Sequence, residues 1–123
     1  METDKQTIYS TLKREFEPYA PPLSVRSEGD RFELWSEKEV EIAGRKRKEV
    51  FFGGLTVHKN HIGLHYMPVY THDEARGIIP DRLLGLLKGK SCFHVQELDD
   101  ELIEEVREAL AKGFELYRTR GWV

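Results

Sequence analysis

The amino-acid sequence predicts an α+β domain: an N-terminal helix, an antiparallel sheet of about five strands in a meander, and a short helix and a C-terminal helix packed on one sheet face. Apolar residues recur at helical spacing near both ends of the chain. Between Leu23 and Met67 the apolar period falls to about two, and β-branched and aromatic residues are frequent, as is typical of strands. This order of helix, sheet and helix is typical of the α+β class.

The first helix is predicted over about residues 4–17. Thr3 and Gln6 have the form of a capping box, and the apolar stripe that follows consists of Ile8, Leu12 and Phe16. Pro21-Pro22 ends the helical region. Strands are then predicted near residues 23–28, 31–42, 48–58 and 61–68, with turns at Gly29-Asp30, around Gly44 and at Lys59-Asn60.

The second half of the chain begins with a polar stretch, THDEARG, after Pro68. Pro80-Asp81 then opens a short predicted helix that ends at Gly89, and residues 91–96 form a last short strand. Asp99 or Asp100 caps the final helix. Because no repeat or long linker divides the chain, residues 1–123 are predicted to form one domain.

Composition narrows the class of protein. Hydrophobic residues make up 39% of the 123 residues and charged residues 33%, which is typical of a soluble globular protein. The net charge of −3 argues against a nucleic-acid partner, and no apolar run is long enough for a membrane span. The N-terminus lacks an export signal and Cys92 is the one cysteine, so the predicted location is cytoplasmic. The expected partner is an unknown small molecule or protein, and a homodimer is left open.

The segment HKNHIGLHY contains three of the five histidines, His58, His61 and His65. If Lys59-Asn60 is a two-residue hairpin loop, position i of one strand faces position 119 − i of the next, and His58 lies opposite His61. Glu33 extends this row on the preceding strand, so the predicted metal ligands are Glu33, His58 and His61, which suit a divalent ion such as zinc or iron(II). His65 lies about 13 Å further along and is not in the site. The alternative is that these histidines are ordinary polar residues at the mouth of a hairpin.

The same alternation assigns a core face and an outer face to the sheet. The outer face is predicted to carry a ligand or partner site, with Gly54 and Gly63 forming a shallow trough between larger side chains. The predicted binding residues are Trp35, Glu37, Phe52, Gly54, Gly63, His65 and Met67. The alternative is that the chain itself, for example Gly121-Trp122-Val123, covers these residues.

Cys92 and His94 share one face of the predicted strand, with Lys88 and Lys90 nearby. A thiolate nucleophile with a neighbouring imidazole would define an enzyme, although no oriented base or oxyanion hole is evident. A structural cysteine is the alternative, and it is favoured. Since no phosphate loop, nucleophile elbow or HExxH pair occurs, a protein without enzymatic activity is also favoured.

Residues 49–123 resemble the YdhG-like family of small bacterial and archaeal domains of unknown function. The resemblance lies in KNHIGLHYMPVY, in GKSCF and in the ending KGFELYRTRGW. It implies a helix, an antiparallel sheet and C-terminal helices. The family is often grouped with frataxin-type iron carriers, but the acidic ridge that binds iron there is missing from the first helix here, which mixes acidic and basic residues. Frataxin-like proteins also dock partners through an exposed tryptophan of the sheet, and Trp35 is the matching candidate.

Three hypotheses of function result. The first is a non-enzymatic binding domain that uses the outer sheet face. The second is a frataxin-like metal-binding or iron-binding protein, and the third is an enzyme that uses Cys92 and His94.

Overall fold

A computed structural model describes residues 1–42, 44–71, 75–89 and 91–123. Its helices are α1 (Lys5–Phe16), α2 (Pro68–Thr71), α3 (Ala75–Ile78), α4 (Asp81–Leu84) and α5 (Asp100–Thr119). Its strands are β1 (Ser24–Glu28), β2 (Arg31–Ser36), β3 (Val40–Ile42), β4 (Arg45–Arg47), β5 (Val50–Val57), β6 (Ile62–Tyr66), β7 (Leu87–Lys88) and β8 (Cys92–Val95). Part of the polar stretch THDEARG, and Lys90, lie outside the described residues.

The two long helices begin at aspartate caps. The Asp4 carboxylate accepts a hydrogen bond from the Thr7 amide, so Asp4 is the cap of α1, and the capping box predicted at Thr3 is wrong by one residue. Asp99 caps α5 by accepting from the Leu102 amide, as the sequence predicted. An aspartate in this position also interacts favourably with the positive end of the helix dipole.

The main sheet has six antiparallel strands in the order β1-β2-β5-β6-β8-β7, which confirms the predicted α+β class. The predicted continuous strand over residues 31–42 is wrong, because it divides into β2 and β3. β3 pairs with β4 in a separate two-stranded hairpin. Glu37 lies between them, is exposed, and belongs to no strand. The short helix ends at Leu84, and the residues that follow it add β7 to the sheet edge.

One face of the sheet, the inner face, packs against α1 and α5. Side chains of this face that are at most 2% exposed include Phe32, Leu34, Phe52, Leu55, Leu64, Tyr66 and Phe93. The Phe16 ring of α1 meets Phe32 edge to face at 6.3 Å. From α5, Tyr117 contacts the Phe52 ring at 5.2 Å. Burial of this apolar area, at roughly 25 cal/mol per Å², is the main stabilising contribution to the fold.

The C-terminal residues belong to the inner side of the sheet. Trp122 is 7% exposed and packs edge to face on Tyr117 at 5.1 Å. The buried Ser36 hydroxyl donates to the Trp122 carbonyl oxygen. The alternative that Gly121-Trp122-Val123 covers the outer face is therefore wrong.

A β-bulge in β5 changes which side chains face the core. Leu34 of β2 pairs with Gly53, but the next residue, Trp35, pairs with Phe51, so Phe52 is the extra residue. Phe52 and Gly53 consequently both lie on the inner side, where a Cβ on Gly53 would be 3.2 Å from the Phe16 ring. Phe51 turns outward against Trp35 at 5.2 Å.

None of the described helices is both long enough and apolar enough to cross a membrane.

Candidate functional site on the outer sheet face

The face of the sheet opposite the two long helices, called the outer face below, is organised in rows by strand pairing. In one row Glu33 pairs with Gly54, Gly54 with His65, and His65 with Cys92. In the next row Arg31 pairs with Thr56, Thr56 with Gly63, and Gly63 with His94. The pairing of β5 with β6 follows the predicted sum of 119. The pairing of β2 with β5 differs from the prediction, because Glu33 lies opposite Gly54 and not in the row of His58 and His61.

Four histidines, His58, His61, His65 and His94, form a cluster at one end of this face, called the histidine cluster below. The His58 and His61 rings are stacked with centroids 4.6 Å apart. The His61 and His94 rings are stacked at 3.9 Å and lie within 18° of parallel. His65 lies one row away and interacts electrostatically with His58 and His94. Three imidazoles are thus in van der Waals contact as a stack.

Sequence reasoning missed His94 as a member of this cluster. Its even spacing from Cys92 placed both residues on one face of a strand, but only the sheet order places β8 beside β6. The sequence pattern that could have indicated the cluster is the presence of a histidine on or beside each of three apolar strands.

Gly63 allows the cluster to close over the sheet. A Cβ at this position would lie 3.0 Å from the His58 Nε2 atom and 3.6 Å from the Cys92 Sγ atom. The His58 ring therefore covers Gly63, and no open trough exists there. At Gly54 the space is filled by the neighbouring strand, because a Cβ would overlap the Phe32 carbonyl oxygen and approach the Glu33 Cα to 3.0 Å. The predicted trough is wrong at both glycines.

The loop that carries the cluster is held from the inner side of the sheet. Lys5, in the first turn of α1, donates from Nζ to the His58 carbonyl oxygen at 2.9 Å and to the Lys59 carbonyl oxygen at 2.7 Å. The His58 amide also donates to the His61 carbonyl oxygen at 2.9 Å, which closes the hairpin. The first helix therefore fixes the position of His58 and places a positive charge beside the stack.

The electrostatic environment favours the uncharged form of two of the imidazoles. Burial lowers the pKa of His61 below 6.5, and the nearby His94, His58 and Lys5 lower it further. Burial also lowers the pKa of His65, with His58, Arg31 and His94 acting in the same direction and Glu33 against them. The His61 and His65 rings therefore become protonated at a lower pH than an ordinary histidine does.

The ring nitrogens of the cluster make no hydrogen bond and no ion pair with any residue in the part of the chain that the structure describes. A neutral imidazole carries one donor and one acceptor, and a protonated imidazole carries two donors. Because these rings are half-buried or exposed, their unpaired nitrogens are accessible to a ligand.

The predicted metal ligands Glu33, His58 and His61 do not form one site. Glu33 lies in the row of Gly54 and His65, and its carboxylate accepts a hydrogen bond from the Trp35 indole nitrogen at 3.1 Å. The predicted register of β2 against β5 was wrong by four residues, and this error placed Glu33 in the row of His58 and His61. In the described ranges, no three histidine, cysteine, aspartate or glutamate side chains are placed to hold a metal ion.

The predicted binding residues separate into two groups. Trp35, Gly54, Gly63 and His65 are on the outer face, whereas Phe52 is fully buried on the inner face because of the bulge. Glu37 lies outside the sheet, so its predicted position on the outer face is wrong. Met67 follows β6 and is half-buried, and its amide donates to the Phe52 carbonyl oxygen at 3.0 Å.

Trp35 is the largest outer-face side chain and is partly covered by its own neighbours. The Arg26 guanidinium lies over the indole at 4.4 Å, and Phe51 packs against it at 5.2 Å. Arg26 is itself held by an ion pair with Glu49. Trp35 and Phe51 thus form a fixed aromatic pair that is half exposed to solvent.

Cys92 and His94 share one face of β8, as predicted, and the strand pairing shows that this is the outer face. Cys92 is half-buried. Burial raises the pKa of the Cys92 thiol above 9.0, so the thiol is protonated at neutral pH. This environment is unfavourable for a cysteine nucleophile.

The fold and the site together define a small α+β domain with a histidine-rich, half-exposed sheet face. Comparison with protein-family models, with curated proteins and with solved structures finds no match to this chain.

Proposed function

We propose that this chain is a non-enzymatic binding domain and that its ligand or partner contacts the outer face of the sheet. The difference in burial between the two faces carries this proposal. Most inner-face side chains on the central strands are at most 2% exposed, whereas the outer-face side chains on the same strands remain partly exposed. These outer side chains include Trp35, Phe51, His65, Cys92 and His94. Aromatic and polar groups presented together are typical of binding surfaces.

The aromatic pair provides a rigid apolar surface for such contacts. Trp35 is oriented by the hydrogen bond to Glu33 and by the Arg26 guanidinium, so little conformational freedom is lost when a ligand packs on it. Large, preorganised aromatic side chains contribute much of the free energy of binding at many interfaces.

The two alternative functions are less well supported. A metal-binding protein of the predicted kind needs Glu33 beside His58 and His61, and the strand pairing separates them. An enzyme that uses Cys92 needs a thiolate, and burial raises the pKa of this thiol. The YdhG-like resemblance stays a prediction, and the proposal does not depend on it.

The proposal can be tested by nuclear magnetic resonance with indole as the probe. We expect indole to shift the amide signals of β2 and β5 around Trp35 and Phe51, and Trp35→Ala to remove these shifts. Val25→Ala is the matched control, because Val25 is 49% exposed on β1 but lies outside the aromatic pair. Shifts confined to the exposed surfaces of α1 and α5, or the same shifts in Trp35→Ala, would contradict the proposal.

A further inference from the structure

We propose that the histidine cluster is a binding site for a tetrahedral oxyanion with two negative charges, of the kind carried by sulfate and phosphate groups. The inference depends on the proposed function, since it assigns a ligand class to one end of the outer face. The aromatic pair of Trp35 and Phe51 lies outside the site.

The unpaired ring nitrogens supply the donors. His58, His61 and His94 are in one stack, and their nitrogens bind no other described residue. When an imidazole is protonated, both of its nitrogens donate, and hydrogen bonds between charged groups are about twice as strong as those between neutral groups. Adjacent rings can therefore contribute donors to the oxygens of one anion.

The charges around the stack also favour an anion. Lys5 acts on His61 from α1, and Arg31 acts on His65 from β2. Against these, Glu33 is the carboxylate that acts on His65. Arg82 and Glu97 line a pocket with His94 and balance each other in charge. The cationic side chains therefore outnumber the carboxylates by one, and protonation of the cluster adds to this excess of positive charge.

The stacked geometry favours an anion over a metal ion. In nearly parallel rings the nitrogen lone pairs lie in parallel planes, and they do not converge on one point as the ligands of a tetrahedral metal do. Protonated rings with centroids 3.9 Å apart repel each other, and a bound anion cancels part of this repulsion. Anion binding and protonation of the stack should thus stabilise each other.

The coupling between protonation and anion binding determines whether the affinity for an anion rises or falls with pH. The charged and titratable groups around the stack are His65, Lys5, Arg31, Glu33 and the thiol of Cys92, together with Arg82 and Glu97, which line a pocket with His94. None of them gains negative charge as the pH falls from about 7.5 to about 5.5. Protonation of an imidazole adds positive charge, and a lower pH can only favour it. The affinity for an anion must therefore rise as the pH falls.

The experiment is a titration with sodium sulfate, observed by nuclear magnetic resonance of the carbon-bound imidazole protons. Sodium chloride at matched ionic strength is the reference. Sulfate is suitable because its charge is constant over this interval. We expect saturable shifts of the His58, His61 and His94 signals and an affinity about tenfold higher at pH 5.5 than at pH 7.5, by linkage to roughly one proton. His61→Gln should weaken binding severalfold. Lys46→Gln should leave it unchanged, because it removes one positive charge from the exposed strand β4.

Two results would overturn the inference. Shifts no larger in sulfate than in chloride would show that no anion binds. Tighter binding of acetate than of sulfate would exclude a tetrahedral dianion. Stoichiometric binding of zinc, with no effect of sulfate, would also show that no anion binds and would assign the cluster to a metal.

The two probes distinguish failure of this inference from failure of the proposed function. If sulfate fails to bind while indole still shifts the signals around Trp35, this inference is wrong and the proposed function stands. If both probes fail, both proposals are wrong.

Discussion

The Tyr66 side chain of β6 lies directly against α5 at Gly113. Its hydroxyl donates a hydrogen bond of 2.6 Å to the carbonyl oxygen of Ala109, one turn earlier in the helix. A Cβ on residue 113 would overlap the Tyr66 hydroxyl and ring. Glycine is thus required in the middle of a 20-residue helix, because it allows the sheet and the helix to approach closely.

We expect Gly113→Ala to lower the free energy of unfolding by roughly 1–3 kcal/mol through overpacking. Alanine is the better helix former by about 1 kcal/mol, so propensity alone predicts the opposite sign. Urea denaturation measures the change. Gly77→Ala in α3 is the control, since no atom lies within 4 Å of its added Cβ, and it should be neutral or stabilising. Equal effects of the two substitutions would contradict the described contact.

Gly54→Ala and Gly63→Ala should differ strongly in stability. At Gly54 the added methyl group meets the backbone of β2, which can move only if the strands separate. At Gly63 it meets the end of the His58 side chain, which can rotate away. Thermal denaturation should therefore show a large loss for Gly54→Ala and a small one for Gly63→Ala. The reverse order would show that the strand pairing of β2 and β5 is not as described.

Cys92 should react slowly with thiol reagents. Because burial raises its pKa, the rate should still be increasing at pH 9 and should show no shoulder near neutrality. Cys92→Ala should cost on the order of 1 kcal/mol, through lost packing of a half-buried thiol. A rate that reaches its plateau below about pH 8 would instead indicate an activated thiolate.

Acidification below about pH 6.5 should destabilise the fold. The pKa values of His61 and His65 are lowered in the folded state, so the unfolded chain binds more protons in this window. The contribution of these two histidines to stability is therefore fully present above the ordinary histidine pKa of 6.5 and is lost as the pH falls through their folded pKa values. Melting temperatures measured in chloride buffers test this dependence. His65→Gln should flatten it, and a melting temperature that is constant over this range would contradict the assignment.

The Asp99 carboxylate has two separable roles. It caps α5 at the Leu102 amide, and it accepts a hydrogen bond of 2.7 Å from Arg82, which is the main reason that its pKa is lowered. Asp99→Asn keeps the cap and loses the ion pair, whereas Asp99→Ala loses both. The melting temperature should therefore fall in the order parent, Asp99→Asn, Asp99→Ala. A melting temperature for Asp99→Asn as low as that of Asp99→Ala would assign the whole effect to Arg82.

Much of the fold was predictable because periodicity records burial. The stripe of α1, the cap and inner face of α5, and the hairpin of β5 and β6 follow from local spacing. The hairpin register was predictable because a two-residue loop determines the opposing residues. The division of residues 31–42 was not, because alternation continues through Glu37 and Glu39 without a break in the sequence pattern.

The site was less predictable than the fold, because it depends on contacts between strands that are distant in sequence. The outward direction of Glu33 and Trp35 was correct, since alternation determines direction, but their neighbours depend on register. A shift by an even number of residues preserves the face and changes every partner. For this reason Glu33 was assigned to the wrong histidines, while His94 was left without its neighbours.

The extra residue in β5 also determines how the chain should tolerate changes in length. In a regular strand, removal of one residue reverses the direction of all side chains on one side of the cut. Here the two β5 residues Phe52 and Gly53 lie opposite a single position of β2. A chain that lacks Gly53 would therefore regain strict alternation of side chains along β5. Val50 and Phe52 would still point inward and Phe51 outward. Single-residue deletions, which most strands cannot accommodate, are therefore least disruptive at this one position of β5.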